Sequence, residues 1–385
     1  MSYSKTSAKA CFKARPDTED FLSIFLNDIP LIDTRAPVEF EAGAFPSSVS
    51  LPLMTNEERA EVGTCYKQQG QQAAIELGHK LVCGEIKAQR VAAWVDFARR
   101  NPQGYLYCWR GGLRSQICQQ WVAEAGYDYP RISGGYKAMR RFLIDESERI
   151  CIEQPMLLLG GRTGCNKTAL IHEVSRAVDL EGLANHLGSS FGRRPGGQPT
   201  QLSFENALAV SLLKAERQAA PTDQSILLED EGRMVGRCAV PPMMQQAMTR
   251  SPIVVLEVPL EERIEHTHRN YILIKLDEWQ QKLGDVAGFD AFADDLTQSL
   301  FRVRKRLGGV RYREISDLLE QALRAHRDGD TEQHRSWIER LLVDYYDPMY
   351  DYQLSSRTEL VVFRGDRAAV REYLAAHQAS PSNHH

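Results

Sequence analysis

The chain has 385 residues, 43% of them hydrophobic and 25% charged. At roughly 150 residues per domain that predicts two or three folded domains, and the balance excludes collagenous, disordered and coiled-coil classes. Lys and Arg number 47 against 51 Asp and Glu, a net charge of −4, which excludes a uniformly basic nucleic-acid binder. Any polyanion partner must therefore meet a local basic patch.

From the N-terminus, MSYSKTSAKACFKARPD lacks the apolar core of a signal peptide, and no apolar run approaches the ~18 residues of a membrane span. A cytoplasmic enzyme without membrane association is expected. Residues 30–35 (PLIDTR) and 47–52 (SSVSLP) read as short strands, 87–100 (KAQRVAAWVDFARR) as a helix, and 105–109 (YLYCW) as a third strand. That strand runs through Gly111-Gly112 into a helix over 114–126. Strands alternating with helices favour an α/β layer with a parallel sheet to about residue 145.

A second α/β unit starts with the strand 155–161 (PMLLLGG), a glycine loop and a helix over 167–178. Further buried strands are expected at 225–230 and 251–258, with a glycine-rich loop at 187–199 between them and the phosphate loop. From about residue 275 the pattern turns mainly helical. The expected domains are 1–148 and 149–385, the second with a helical C-terminal extension. The closing HQASPSNHH reads as a frayed end.

The eight cysteines, at 11, 65, 83, 108, 118, 151, 165 and 238, form no C-x-x-C pair and read as reduced thiols. Cys108 differs from the rest, because YCWRGGLRSQ places it at the end of a strand with Arg110, Gly111, Gly112, Arg114 and Ser115 following. Loop amides at a helix start, with two arginines, make an anion cradle that activates a thiolate. The alternative reading is a buried cysteine that merely ends a strand, and two arginines with a Gly-Gly within seven residues favour the reactive one. Cys165 carries a minor functional reading, since it lies inside the second loop.

That second loop, GRTGCNKT, nearly fits G-x-x-x-x-G-K-[ST], with Asn166 at the last glycine. Gly161, Thr163, Gly164, Asn166, Lys167 and Thr168 are candidates to hold a diphosphate, with Thr168 able to ligate magnesium. ILLEDEG supplies Glu229 and Asp230 as the accompanying acidic motif. The identity of any metal, and whether ATP binds, stay open. In FRVRKRLGGVRYR six basic residues, Arg302, Arg304, Lys305, Arg306, Arg311 and Arg313, occur without an acidic one. They suit an RNA backbone, as do Arg193 and Arg194 in the glycine loop, although a solvated helix face gives the same pattern. Arg233 and Arg237 after the acidic motif would extend such a patch. Tyr345, Tyr346, Tyr350 and Tyr352, around an expected Asp-Pro turn, read first as core packing and second as a stacking or channel surface.

LIDTRAPVEFEAGAFPSSVSLP and YCWRGGLRS resemble rhodanese-type domains, whose loop cysteine carries a transferred chalcogen. The C-x5-R loop is one residue longer than the common sulfurtransferase loop and matches cysteine-dependent phosphatases. Together with the P-loop half, HLGSSFG, LEDEGRMVG and RSWIERLLVDYYDPMYDYQL, the whole resembles the bacterial tRNA 2-selenouridine synthase family. The fold this implies is a rhodanese-like parallel-sheet domain followed by a P-loop NTPase-like α/β domain. The activity it implies is conversion of 2-thiouridine to 2-selenouridine at U34 of the tRNAs for Lys, Glu and Gln, through an S-geranyl intermediate. Geranyl diphosphate and selenophosphate would be co-substrates rather than tightly bound cofactors, a selenophosphate-supplying enzyme a further partner, and Cys108 the nucleophile that accepts selenium as a selenylsulfide. Against it stand a cysteine-dependent phosphatase or sulfurtransferase fused to a nucleotide-binding kinase-like domain, and a nonenzymatic nucleotide-sensing adaptor.

Overall fold

A computed structural model describes residues 15–218 and 225–379. The expectations for the N-terminal stretch through Cys11 and for the last six residues lie outside the described residues. The chain divides into two compact units, Met1–Glu146 and Ser147–His385, and the division falls within the helix Gly135–Glu153.

In the first unit, β1 (Leu31–Asp33), β2 (Ser48–Ser50) and β3 (Tyr105–Tyr107) form a parallel sheet in the order β2-β1-β3. Each strand is three residues long, shorter than its apolar window. Ile32 and Leu106 face one core with Trp94, Phe97, Trp121 and Val122, contributed by the helices Gly84–Arg100 and Leu113–Glu124. Tyr107 faces the other side, against Phe45, which also packs on Phe25 and Tyr136. Asp33 is fully buried at the end of β1 because Arg35 neutralises it at 2.6 Å and Tyr107 donates to it at 2.8 Å. Two helices beyond those expected, Asn56–Gln69 and Gln71–Leu81, lie between β2 and β3; the first opens on a T-x-x-E capping box in which Thr55 and Glu58 bond each other's amides.

In the second unit, β4 (Met156–Gly160), β5 (Ala177–Val178), β6 (Ile226–Glu229), β9 (Ile253–Leu256) and β10 (Val361–Gly365) form a parallel sheet ordered β10-β9-β4-β6-β5. A small antiparallel hairpin, β7 (Met234–Val235) and β8 (Cys238–Ala239), follows the acidic motif. The strands β4, β6 and β9 are buried on both faces, which explains their unbroken apolar runs. One face packs against Leu170, Ile171, Val370 and Leu374.

Three expectations are corrected here. The helix expected over 167–178 ends at Ile171, and Ala177 and Val178 instead pair with Leu227 and Leu228 as an edge strand. Their apolar pattern suits either state, so only the partner strand decides. The Asp-Pro pair is no turn: Asp347 and Pro348 continue a helical run from the π-helical segment Leu342–Tyr346 into the helix Asp347–Ser355. The basic run is not one stripe, because Gly308 (φ +79°) separates the helices Asp285–Leu307 and Gly309–Arg327.

The helical part has its own core, built on Phe292, Leu296, Ile315, Leu319, Trp337 and Leu341. Phe191, from the glycine-rich loop, inserts into it beside Trp337, and buried Lys275 bridges the Phe191 carbonyl and Asp295, both at 2.6 Å. Thus the HLGSSFG segment is irregular yet pinned. Two π-helical segments, Arg269–Ile274 and Leu342–Tyr346, interrupt the surrounding helices and line the cavity described below.

Candidate functional site

Cys108 follows β3 directly, at the carboxyl edge of the parallel sheet where such folds place ligands. It is 3% exposed, and its S–H donates to Ser115 Oγ at 3.2 Å, while that hydroxyl donates to the Gly112 carbonyl at 2.9 Å. Once the thiol ionises, the same hydroxyl can turn and donate to sulfur. Gly111 (φ +64°) and Gly135 (φ +58°) approach backbone to backbone: a Cβ on Gly135 would lie 2.3 Å from the Cys108 carbonyl and 2.5 Å from the Gly111 amide. The amides of Tyr136 and Lys137 donate to the carbonyls of Cys108 and Trp109, so the loop is clamped by a second glycine turn. Sequence reading missed that turn, although S-G-G-Y at 133–136 signals it.

Arg114 does not reach into the loop as expected. It forms an ion pair with Glu39, at 2.7 Å, and Arg59 binds the same carboxylate at 3.0 Å. Burial pushes the Glu39 carboxyl up, but Arg114, the Ala36 amide and Arg59 outweigh it and hold the carboxyl below its ordinary value. Arg110 is exposed beside Cys108. Two further arginines support the loop: Arg131 donates to the Gly111 carbonyl at 3.0 Å, and Arg35 lies 3.9 Å from the Tyr136 ring centre, whose ring stacks on Trp109.

The phosphate loop leaves β4 at Gly160 and turns at Gly161, Gly164 (φ +86°) and Asn166 (φ +58°). At Asn166 the backbone is left-handed, the conformation that a glycine supplies in the usual motif and that asparagine tolerates best among other residues. A Cβ at Gly164 would meet Thr267 Oγ at 2.7 Å and the Arg263 carbonyl at 2.8 Å. Buried Arg263 holds the loop by donating to the Thr163 carbonyl at 2.9 Å and gripping Asp347 with both nitrogens. Cys165 is buried in the sheet core.

Lys167 donates to the Gly161 carbonyl at 3.3 Å, and Thr168 Oγ donates to Glu229 at 3.2 Å. Glu229 also accepts from the Glu181 amide at 2.9 Å, whereas Asp230 is gripped by Arg357 at 2.8 and 2.9 Å. The two acidic residues therefore divide their work, and Glu229 is the one that faces the loop. Burial, then the charges of Glu181 and Asp179, push Glu229 up to about 8. Burial likewise raises Glu181 and Glu231, which share a hydrogen bond, while burial of Lys167 is outweighed by neighbouring negative groups that raise its pKa. Glu181 and Glu231 carried no sequence signal strong enough to single them out. The loop opens on a cavity of about 720 Å³ lined also by His186, His266, Tyr271, Arg306, Tyr345 and Tyr350. Burial and nearby Lys275, Arg193 and Arg302 lower His186 to about 4, so its imidazole there is neutral.

The family model described as "tRNA 2-selenouridine synthase AAA domain" matches residues 154–381. A tRNA 2-selenouridine synthase of Hahella chejuensis is 60% identical over 359 residues, covering 93% of this chain and 94% of that protein. Those of Cupriavidus pinatubonensis and Alcanivorax borkumensis are 54% and 51% identical, covering 95% and 94% of this chain and 100% and 99% of theirs. The chain belongs to the tRNA 2-selenouridine synthase family.

Within this member of the selenouridine synthases, the basic candidates separate. Arg194 pairs with Glu278, Arg302 donates to the Ser190 carbonyl and Ser299, and Arg304 lies over the Phe301 ring, so these three serve the helical part itself. Arg193 is 60% exposed with Asp295 at 3.9 Å. Lys305, Arg306, Arg311 and Arg313 are exposed around the Gly308 break, and Arg306 lines the Lys167 cavity. Tyr345 and Tyr346 are both core residues and cavity wall, and Tyr346 accepts the Ser190 amide at 3.2 Å. Tyr352 is exposed, and the buried Tyr350 hydroxyl points at no protein partner. The seven described cysteines are free thiols, and no described helix is long and apolar enough to cross a membrane.

Proposed function

We propose that this chain converts 2-thiouridine to 2-selenouridine at the wobble position of the tRNAs for Lys, Glu and Gln in two steps, one on each anion loop. The observation that carries the reading is that the two loops differ in kind, one presenting a thiol and the other an ammonium and a hydroxyl. The first unit is a rhodanese-like domain and the second a P-loop domain. In the first step the tRNA sulfur attacks the C1 carbon of geranyl diphosphate, and diphosphate leaves toward Lys167 and the loop amides.

The carboxyls of Glu181, Glu229 and Glu231 crowd this loop, and once ionised they suit a diphosphate only with a cation between them. The residues fit magnesium: Thr168 and Glu229 would hold it. Diphosphate oxygens and waters would complete the shell, as magnesium prefers. Bound there, the ion would supply positive charge to the leaving diphosphate.

In the second step selenium from selenophosphate replaces the geranylated sulfur. Selenium in that donor is already at the oxidation level of selenide, so a selenylsulfide on Cys108 needs an oxidant. Thiolate attack on phosphorus needs none: an S–P bond forms, the Se–P bond breaks, and selenide leaves with the electron pair. Selenide then adds at C2 of the base, geranethiolate departs and takes a proton from water, and hydrolysis returns phosphate from Cys108. The place of Cys108 directly after β3 and the Ser115 hydroxyl 3.2 Å from sulfur support this role. They equally favour the second reading, a cysteine-dependent phosphatase.

Separate incubation of 2-thiouridine tRNA with geranyl diphosphate, and of S-geranyl tRNA with selenophosphate, followed by nucleoside mass spectrometry, tests the proposal. Cys108→Ala should abolish 2-selenouridine and retain S-geranyl-2-thiouridine; Lys167→Ala should do the reverse. Selenouridine from the Cys108 variant, or wild-type geranylation by the Lys167 variant, refutes the assignment of loops. Cys108-dependent hydrolysis of an aryl phosphate with no tRNA product establishes the phosphatase instead.

A further inference from the structure

Beside the cysteine loop the first unit holds a second concavity, of about 570 Å³, which the loop chemistry does not use. Its walls are the helices Asn56–Gln69 and Gln71–Leu81 on one side and Leu113–Glu124 on the other. Met54, Val62, Ile75, Ile117 and Trp121 make the lining apolar. The helix Asn56–Gln69 buries only Cys65, and small residues, Ala60, Gly63 and Thr64 on it and Gly78 on the helix Gln71–Leu81, keep the facing sides low. A Cβ on Gly63 would meet nothing within 4 Å. Protein interiors close on themselves at crystal-like density, so an apolar space of this size kept open by small side chains has the character of a ligand site.

Its position narrows the ligand. Leu113 and Arg114 line the cavity and also end the Cys108 loop, and the next residue, Ser115, touches the Cys108 sulfur. Lys67 lies among the lining residues, with Arg59 and Arg114 paired to Glu39, so the rim offers a polyanion an ammonium while the apolar lining takes one inserted group. We propose that this cavity receives the ten-carbon isoprenoid chain of S-geranyl-2-thiouridine while C2 of the base is presented at Cys108. The proposal rests on the function proposed above and adds where the prenyl group goes during selenation. An alkyl chain on the base then acts as a positioning handle: its burial contributes binding, and the loop reads only the ring.

Gly63→Phe tests this, since it fills the open space from a helix interior, where glycine is the poorer helix former. Selenation is followed with S-geranyl and S-methyl tRNA. The wild-type chain should favour the geranyl substrate in kcat/KM by at least about tenfold, because nine further carbons are buried. Gly63→Phe should lose most of that preference through KM, and Ile75→Ser should reduce it. A preference unchanged in both variants overturns the proposal. Trp121, a lining residue, provides a readout independent of turnover: S-geranyl-2-thiouridine nucleoside should shift its fluorescence in the wild-type chain, and no shift up to millimolar nucleoside overturns the proposal too. A wild-type chain that makes no 2-selenouridine from S-geranyl tRNA overturns the underlying function, a result distinct from an unchanged chain-length preference.

Discussion

Asn166 stands where a phosphate loop has glycine, and its φ of +58° explains why the loop survives the exchange. The strand–loop–helix junction was legible, with Lys167 and Thr168 opening the helix. Its electrostatics were not, because Glu181 joins Glu229 and Glu231 only through the fold. Glu229 gives a pH prediction. Its folded pKa of about 8 stands above the unfolded carboxyl value near ~4.3, so the folded state binds this proton more tightly. The resulting stability is full below about pH 4 and is lost as pH rises through about 8. The thermal midpoint should therefore fall between about pH 6 and 9, and magnesium with inorganic diphosphate should raise it more at pH 8.5 than at pH 6. Differential scanning fluorimetry across that range decides, and an equal rise at both pH values would refute the cation role.

At the scale of elements, the cysteine loop was legible as a strand running through Gly-Gly into a helix, but its clamp was not. Gly134 and Gly135 belong to a turn some 25 residues downstream, and sequence spacing cannot reveal that their backbone lies against Gly111. Gly135→Ala should force the two turns apart, since its Cβ would stand 2.3 Å from the Cys108 carbonyl. Selenation should drop by more than about tenfold while geranylation persists, as read by nucleoside mass spectrometry. A variant that selenates normally would show that the clamp is not needed. The strand at 177–178 makes the same point in reverse: a sequence with helical spacing becomes an edge strand because β6 offers it a free side.

For the whole molecule, the net charge of −4 required any RNA contact to be local, and the structure refines the expected patch. Arg302 and Arg194 are spent on internal bonds, while Lys305, Arg306, Arg311 and Arg313 project around the Gly308 break. Arg306→Glu should weaken tRNA binding and reduce the slope of log affinity against log salt by about one or more. Filter binding at several salt concentrations tests this, and an unchanged slope would return the run to a solvated helix face. The chain by itself determined the two glycine-bearing strand–loop–helix junctions, their order, and the α/β character of both units, because glycine turns and apolar runs are local signals. Only the tertiary structure decided that Arg114 serves Glu39, that Glu229 rather than Asp230 faces Thr168, and that an apolar cavity opens against the helix that follows the Cys108 loop. Each of those depends on groups brought together from distant parts of the chain, and local pattern carries no information about such distances.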